Sequence, residues 1–129
     1  MPSLTPAQRV TLRLPFPPKE LSPNVRVPHW AVFAHAKSYY RKHCWGEAFD
    51  QTNARLSPPV HARVTFVVPD RRRRDADNLA ASLKSMWDAL VDAHVLADDS
   101  ADKLTIEAPV IRYEKGQRYI EVTLEEVLA

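Results

Sequence analysis

The chain has 129 residues, of which 45% are hydrophobic and 26% charged, which is typical of one soluble domain with a single core. Its two glycines are too few for a glycine-rich phosphate loop, so no nucleotide cofactor is expected. Its single cysteine excludes an intramolecular disulfide. The net charge of +2 is uneven: residues 1–74 carry 13 basic and 4 acidic side chains, and residues 75–129 carry 5 basic and 12 acidic ones. A basic half suits a polyanionic partner and an acidic half suits a metal cation, unless folding mixes the two.

Two features of the composition bear on location. No apolar run approaches the roughly 20 residues that a membrane-spanning helix needs, so no membrane association is expected. A lone cysteine, Cys44, is typical of proteins in a reducing compartment, and the cytoplasm is the expected location.

Residues 9–14 are predicted to form the first strand, because apolar and polar side chains alternate there. Residues 1–8 before it are expected to be a flexible tail. Prolines end the strand and interrupt the following segment, so the chain from Lys19 to about Ala34 is predicted to be a loop. Its side chains include polar and aromatic ones typical of functional loops, namely Asn24, Arg26, His29, Trp30 and Phe33.

A helix over residues 36–54 and a strand over Val60–Val68 are predicted next. In the helix, Tyr39, Trp45 and Phe49 are the candidates for the buried side. Two prolines after it end the helical segment. In the strand every second side chain is apolar, which predicts one buried face.

The strongest helical pattern runs from about Asn78 to Val95, where leucines and a methionine follow the spacing of one helix face. A polar turn and a short strand follow it. Residues 110–113 and 119–124 then resemble a hairpin around a glycine-containing turn. This order of elements predicts a single α+β domain over residues 1–129, with one mixed sheet of four to five strands and two main helices.

Carboxylates lie at both ends of the second predicted helix: Asp75 and Asp77 before it, and Asp98 and Asp99 after it. Clustered carboxylates repel one another unless a cation neutralises them, and Mg²⁺ prefers such hard oxygen ligands. Two such ions about 3.5–4 Å apart can activate water and stabilise the leaving oxygen of a phosphodiester. An 18-residue helix is about 27 Å long, so Asp77 and Asp99 can meet only if the chain doubles back or a second subunit supplies one of them.

Each acidic pair also has a purely structural explanation. Aspartate is favoured at helix N-caps, which would account for Asp75 or Asp77, and in turns, which would account for Asp98 and Asp99. The four arginines at 71–74 have two explanations as well: a solvated loop, or a contact for phosphate oxygens, which arginine binds in a fork.

Three groups of residues together resemble the RusA family of Holliday junction resolvases, over roughly residues 10–124. The central group is residues 69–79, Pro-Asp-Arg-Arg-Arg-Arg-Asp-Ala-Asp-Asn-Leu. The second is Asp-Ala-Leu at 88–90 with Asp-Asp-Ser at 98–100. The third, similar to phage-encoded members, is Leu-Pro-Phe-Pro-Pro at 14–18, Ser-Pro-Asn at 22–24 and His-Trp at 29–30.

The resemblance implies a RusA-like, homodimeric, Mg²⁺-dependent endonuclease, with Mn²⁺ as a substitute, that cuts four-way DNA junctions by paired symmetric nicks in recombination and repair. It implies that Asp75, Asp77 and Asp99 are the catalytic metal ligands. Arg74 would help to hold the DNA, together with the rest of the basic run, Arg71, Arg72 and Arg73. The implied location is the cytoplasm of a bacterial or phage-infected cell, near the nucleoid.

One position departs from the family pattern. The family usually has a lysine four residues after the second aspartate, where this chain has Ala81. The nearest lysine is Lys84, on the same helix face as Asp77. It either covers part of the gap left by the missing lysine, as a DNA contact, or pairs with Asp88 at i+4 and has no catalytic role. Three functions therefore stay open: a four-way junction endonuclease, a nuclease for other branched DNA, and a junction-binding protein that has lost its chemistry.

Overall fold

The computed structural model describes residues 7–23 and 29–127. Residues 1–6 of the predicted tail, and Asn24 and Arg26 of the predicted loop, lie outside this range. The helices and strands, apart from a 3₁₀ turn at Lys19–Leu21, are β1 (Arg9–Leu14), α1 (Trp30–Gln51), β2 (Val60–Val68), α2 (Ala76–Ala81), α3 (Lys84–Asp92), β3 (Leu104–Ile106), β4 (Val110–Tyr113) and β5 (Tyr119–Glu126).

The five strands form one mixed sheet with β2 inside it. β5 lies between β1 and β2 and is antiparallel to both. β3 and β4 follow one another along the other edge of β2 and are parallel to it. The predicted α+β class with a single mixed sheet is confirmed.

The helices cover one face of the sheet. The alternation predicted for β2 is confirmed, because its alternate side chains from Val60 to Val68 are buried, and β5 contributes Ile120, Val122 and Leu124 to the same core. The opposite face carries polar side chains such as Thr11 and Thr123, whose hydroxyls lie 3.3 Å apart. A sheet with one packed and one polar face is common among antiparallel pairs.

The helix α1 begins at Trp30, six residues before its predicted start, so the prediction of a loop up to Ala34 is wrong for its last residues. The reason is the N-cap: the Nδ1 atom of His29 accepts a hydrogen bond from the backbone N–H of Ala31 at 3.1 Å. Histidine is an unusual residue for this role, which serine, threonine, aspartate and asparagine usually fill. No helix among the described residues is both long and apolar enough to cross a membrane.

The buried side of α1 also differs from the prediction. Tyr39, Trp45 and Phe49 are 62%, 42% and 66% exposed. The buried residues of α1 are instead Tyr40, Cys44 and Ala48. They are spaced four apart, and the last two are small enough to let the helix lie close to the sheet. The Tyr40 hydroxyl donates a hydrogen bond to the carbonyl oxygen of Pro15 at 2.8 Å. Burial raises the pKa of the Cys44 thiol to about 12, so this thiol stays protonated at neutral pH.

The second predicted helix is two helices, so the prediction of one helix over 78–95 is wrong. Between α2 and α3 the Ser82 hydroxyl donates to the carbonyl oxygen of Leu79 at 2.6 Å. Serine side chains that bond to the backbone in this way compete with regular helix bonding. The apolar pattern itself was correct, because Leu83, Met86 and Leu90 are buried.

The predicted hairpin of β4 and β5 does not form. The two strands pair with β2 on its opposite edges, and the segment between them crosses the end of β2, where the N–H of Glu114 donates to the carbonyl oxygen of Val68 at 3.0 Å. Gly116 turns this segment with a φ of 74°, a conformation that glycine adopts without strain. The sequence signal was a turn between two strands, and it identified the turn but not the pairing.

Truncation of two adjacent tyrosines tests which side of α1 is buried. Tyr40→Ala should lower the free energy of unfolding by about 3–5 kcal/mol, because it removes a buried aromatic ring and leaves a cavity. Tyr39→Ala, the matched control one residue earlier, should change it by less than about 1 kcal/mol, because its ring is largely exposed. Urea unfolding of both variants measures the difference, and equal losses would contradict the described orientation of α1.

Candidate functional site

The candidate site begins where β2 ends and the chain passes through the arginines into α2. Asp75 is the N-cap of α2: its Oδ1 atom accepts hydrogen bonds from the backbone N–H groups of Asp77 at 2.9 Å and Asn78 at 3.2 Å. The prediction that an aspartate caps this helix is therefore confirmed for Asp75, and capping occupies only one of its two carboxylate oxygens. The Oδ2 atom of Asp75 and the exposed carboxylate of Asp77 have no partner among the described residues, so both are available to a cation.

The side chain of Arg74 turns inwards. Its Nη1 atom donates to the carbonyl oxygens of Asp70 and Arg72, both at 3.0 Å, and its Nη2 atom lies 2.9 Å from the Asp70 carboxylate. The side chain is 13% exposed. The backbone N–H of Arg72 and the Arg74 guanidinium hold the pKa of Asp70 below its usual value. Arg74 therefore shapes the loop, and its role in holding DNA stays a prediction.

The other three arginines of the run are exposed. The guanidinium of Arg71 lies 4.4 Å from the ring centre of Tyr113, a cation–π contact that positions the group and leaves its hydrogen-bond donors free. Arg72 is only loosely associated with Asp70, at 3.8 Å, and Arg73 forms no ion pair among the described residues. Three positive charges are thus presented to solvent two to four residues before Asp75.

At the other end of the site, the chain doubles back after α3. The Nζ atom of Lys84 donates to the Oδ2 atom of Asp99 at 2.6 Å and lies 3.0 Å from Asp88. These two carboxylates raise the pKa of Lys84. The chain after α3 therefore doubles back and brings Asp99 to Lys84, the first residue of α3. Doubling back was one of the two ways in which Asp99 could approach the start of the helical region. The predicted i+4 pair of Lys84 with Asp88 is also present.

Asp98 is a turn residue. Its carboxylate accepts from the backbone N–H of Asp99 at 2.8 Å and from the hydroxyl of Ser100 at 3.1 Å. These bonds lower the pKa of Asp98, the backbone N–H being the main cause. The turn explanation is therefore correct for Asp98, whereas the carboxylate of Asp99 points to Lys84.

The residues fit Mg²⁺ in their chemistry, but they are not gathered around one point. Asp75 and Asp77 offer free hard oxygens of the kind that Mg²⁺ prefers. Asp99 is neutralised by Lys84. Within residues 7–23 and 29–127, no group of three or more histidine, cysteine, aspartate or glutamate side chains is close enough to hold a metal ion. The assignment of Asp75, Asp77 and Asp99 as metal ligands therefore stays a prediction.

Comparison with known proteins identifies relatives. No protein-family model matches the chain. An uncharacterized protein of Xylella fastidiosa (strain Temecula1) is 35% identical over 123 residues, which are 90% of this chain and 77% of the relative. Crossover junction endodeoxyribonucleases RusA of Escherichia coli strain K12 and of Enterobacteria phage 82 are each 40% identical over 74 residues, 56% of this chain and 56% of the relative.

The fold and the site define a small α+β protein that presents exposed arginines beside free carboxylates. Through the matched segment the chain is homologous to the RusA crossover junction endodeoxyribonucleases. The resemblance predicted from the sequence is confirmed. The chain spans about half the length of these RusA relatives, and what their name says of DNA junctions is a property of those proteins.

Two contributors to the site were missed by sequence analysis. Asp70, which anchors the arginine loop, could have been found, because an aspartate that accepts from the backbone N–H two residues later is a common turn pattern. Tyr113, which supports Arg71, could not, because the contact depends on β4 lying beside β2.

Two neighbouring arginines should differ in their effect on stability. Arg74→Ala should lower the free energy of unfolding by about 1–3 kcal/mol, because it removes charge-assisted hydrogen bonds of a side chain that is only 13% exposed. Arg73→Ala should change it by less than about 0.5 kcal/mol, since this side chain is exposed and has no partner among the described residues. Urea unfolding checks both variants, and a larger loss for Arg73→Ala would mean that Arg74 does not shape the loop.

Proposed function

We propose that the chain is a Mg²⁺-dependent endonuclease that cuts four-way or other branched DNA. The observation that carries this proposal is the arrangement at the start of α2, where Asp75 and Asp77 keep free carboxylate oxygens and three exposed arginines lie two to four residues before Asp75. Phosphodiester hydrolysis needs both kinds of group, since cations bind the DNA backbone and metal-bound carboxylates support the chemistry. The homology to proteins named crossover junction endodeoxyribonucleases makes branched DNA the first substrate to test.

The residues have separate roles in this proposal. Asp75, Asp77 and Asp99 would hold the metal, which when bound supplies an activated water and stabilises charge on the phosphate. Arg71, Arg72 and Arg73 bind phosphate oxygens of the DNA backbone, which makes binding sensitive to salt. Arg74 keeps the loop in shape from inside.

A homodimer is part of the proposal. A two-fold symmetric dimer presents the same site twice, and a four-way junction has nearly the same symmetry. Two identical sites facing two strands of like polarity would give paired nicks.

A junction-binding protein without cleavage is the second candidate. Two observations favour it: Ala81 lies where the family usually has a lysine, and the carboxylate of Asp99 is already paired with Lys84. A protein of this kind would keep the exposed arginines and would bind junctions without cutting them.

Cleavage of a labelled four-way junction, beside a linear duplex of equal length, distinguishes these functions. With Mg²⁺, but not with EDTA, we expect symmetric nicks on the junction alone. Cleavage of flaps or forks in preference to four-way junctions would make the chain a nuclease for other branched DNA. Tight binding with no cleavage in Mg²⁺ or Mn²⁺ would support the junction-binding protein and overturn the proposed chemistry.

In the same assay, Asp75→Asn and Asp77→Asn should each lower the cleavage rate by about 100-fold or more, because the contribution of a bound metal is several kcal/mol. Junction binding in EDTA should be unchanged. Asparagine is as good an N-cap as aspartate, so the start of α2 should be preserved in Asp75→Asn. Asp50→Asn, at an exposed position of α1 without a partner among the described residues, is the matched control; cleavage by the site variants at its rate would rule out the metal assignment.

Lys84→Met tests whether the contact with Asp99 matters for the reaction. If Lys84 positions a metal ligand, the cleavage rate should fall by about 10–100-fold, as for other residues that orient ligands, with unchanged junction binding in EDTA. Lys42→Met, at an exposed position of α1, removes the same charge elsewhere. A loss of junction affinity with an unaltered rate at saturating DNA would instead make Lys84 a DNA contact.

A further inference from the structure

Two arginines outside the candidate site lie on aromatic rings and have no carboxylate partner among the described residues. The guanidinium carbon of Arg13 lies 3.7 Å from the ring centre of Tyr119. That of Arg118 lies 5.2 Å from the ring centre of Phe16. Both side chains are exposed. Their rings hold the guanidinium groups in place without neutralising their charge.

Other arginines of the chain, in contrast, are paired with carboxylates. Arg41 is bound by Asp92 at 2.6 Å, and Arg63 is bound by Glu107 at 2.7 Å. The carboxylates satisfy the charge and much of the hydrogen-bonding capacity of these groups. The charges of Arg13 and Arg118 are left for a ligand.

Arg13 and Arg118 line an open cleft of about 530 Å³ between the second half of α1 and the neighbouring ends of β1 and β5. One wall is fixed, because the side-chain amide of Gln51 bonds both the N–H of Arg13 at 2.8 Å and its carbonyl oxygen at 2.6 Å. The cleft has one carboxylate, Glu47, which lies 3.3 Å from the Gln51 amide nitrogen and 4.0 Å from His43. Leu14 and Pro15 are the apolar part of the lining, and its other members are polar or positively charged.

The cleft is connected to the arginine loop of the candidate site. Tyr119 and Tyr113 pair with Val67 and Val68, the last two residues of β2, from its two edges. Arg112 donates to the Tyr119 hydroxyl at 3.3 Å, and its neighbour Tyr113 carries Arg71. Arginines supported by aromatic rings therefore occur on both sides of the same end of the sheet.

We propose that the cleft of Arg13 and Arg118 binds phosphate groups of a DNA duplex, as a second backbone contact in addition to Arg71, Arg72 and Arg73. Guanidinium groups match the planar spacing of two phosphate oxygens and bind them in a fork. The inference rests on the proposed function only in taking DNA as the polyanion; it does not require cleavage. Contacts at two places on one end of the sheet would let one subunit hold more of the DNA than its metal site reaches.

The test measures binding to a fluorescently labelled junction and duplex in EDTA, over a range of salt concentrations. The slope of log affinity against log salt falls by about 0.9 for each phosphate contact that is lost. Arg13→Gln with Arg118→Gln should therefore reduce the slope by about two and weaken binding to any sequence alike. Arg13→Lys with Arg118→Lys keeps the charge and should restore most of the slope.

Arg9→Gln with Arg55→Gln is the matched control, since it removes two exposed arginines at the opposite end of the sheet, beside Gln8. Equal slopes for the Arg13/Arg118 variant, the control and the wild type would overturn the cleft proposal. That outcome is separate from failure of the proposed function, which is measured as junction cleavage in Mg²⁺. A wild-type protein that binds neither junction nor duplex would overturn both.

Discussion

The position of β2 inside the sheet is the constraint on which the rest of the structure depends. This strand is paired along both edges, with β5 on one side and with β3 and then β4 on the other, and its side chains from Phe66 to Val68 are buried. The chain that follows a strand fixed in this way leaves the sheet at the end of that strand, next to Val68. The arginines that follow it must leave the sheet where β4 ends and β5 begins, which is also where Arg13 and Arg118 lie. The clustering of positive charge at this end is thus a consequence of sheet topology.

Four consecutive arginines repel one another, and an ion pair between Arg74 and Asp70 within the loop reduces this repulsion. Asp70 accepts from the loop backbone and binds Arg74, which in turn satisfies two loop carbonyl oxygens. One charge of the four is used to make the loop rigid, so that the other three are presented from a defined backbone. Asp75 divides its carboxylate in a similar way, because one oxygen caps α2 and the other stays free. Stability and proposed function thus use different arginines of the loop and different oxygens of Asp75.

The parts of the structure that sequence could predict are those set by local periodicity. Spacing patterns within a few residues predict the bounds of β2 and the capping role of aspartate before α2. They also predict the burial of Leu83, Met86 and Leu90. The predictions failed where distant residues decide. Aromatic side chains suggested the wrong buried side for α1, because the side that packs against the rest of the fold carries Tyr40, Cys44 and Ala48. Likewise, the contact of Lys84 with Asp99 depends on how the chain returns after α3, for which there is no local signal.

The pairing of Lys84 changes the electrostatic problem posed by the acidic half of the chain. Carboxylates gathered in a small volume need a cation, and at Asp88 and Asp99 that cation is already supplied by Lys84 at 3.0 and 2.6 Å. At Asp75 and Asp77 no side chain among the described residues supplies one. The carboxylate oxygens available to a cation therefore lie at the start of α2, close in sequence to the exposed arginines. A metal held there need not displace Lys84 from its contact with Asp99.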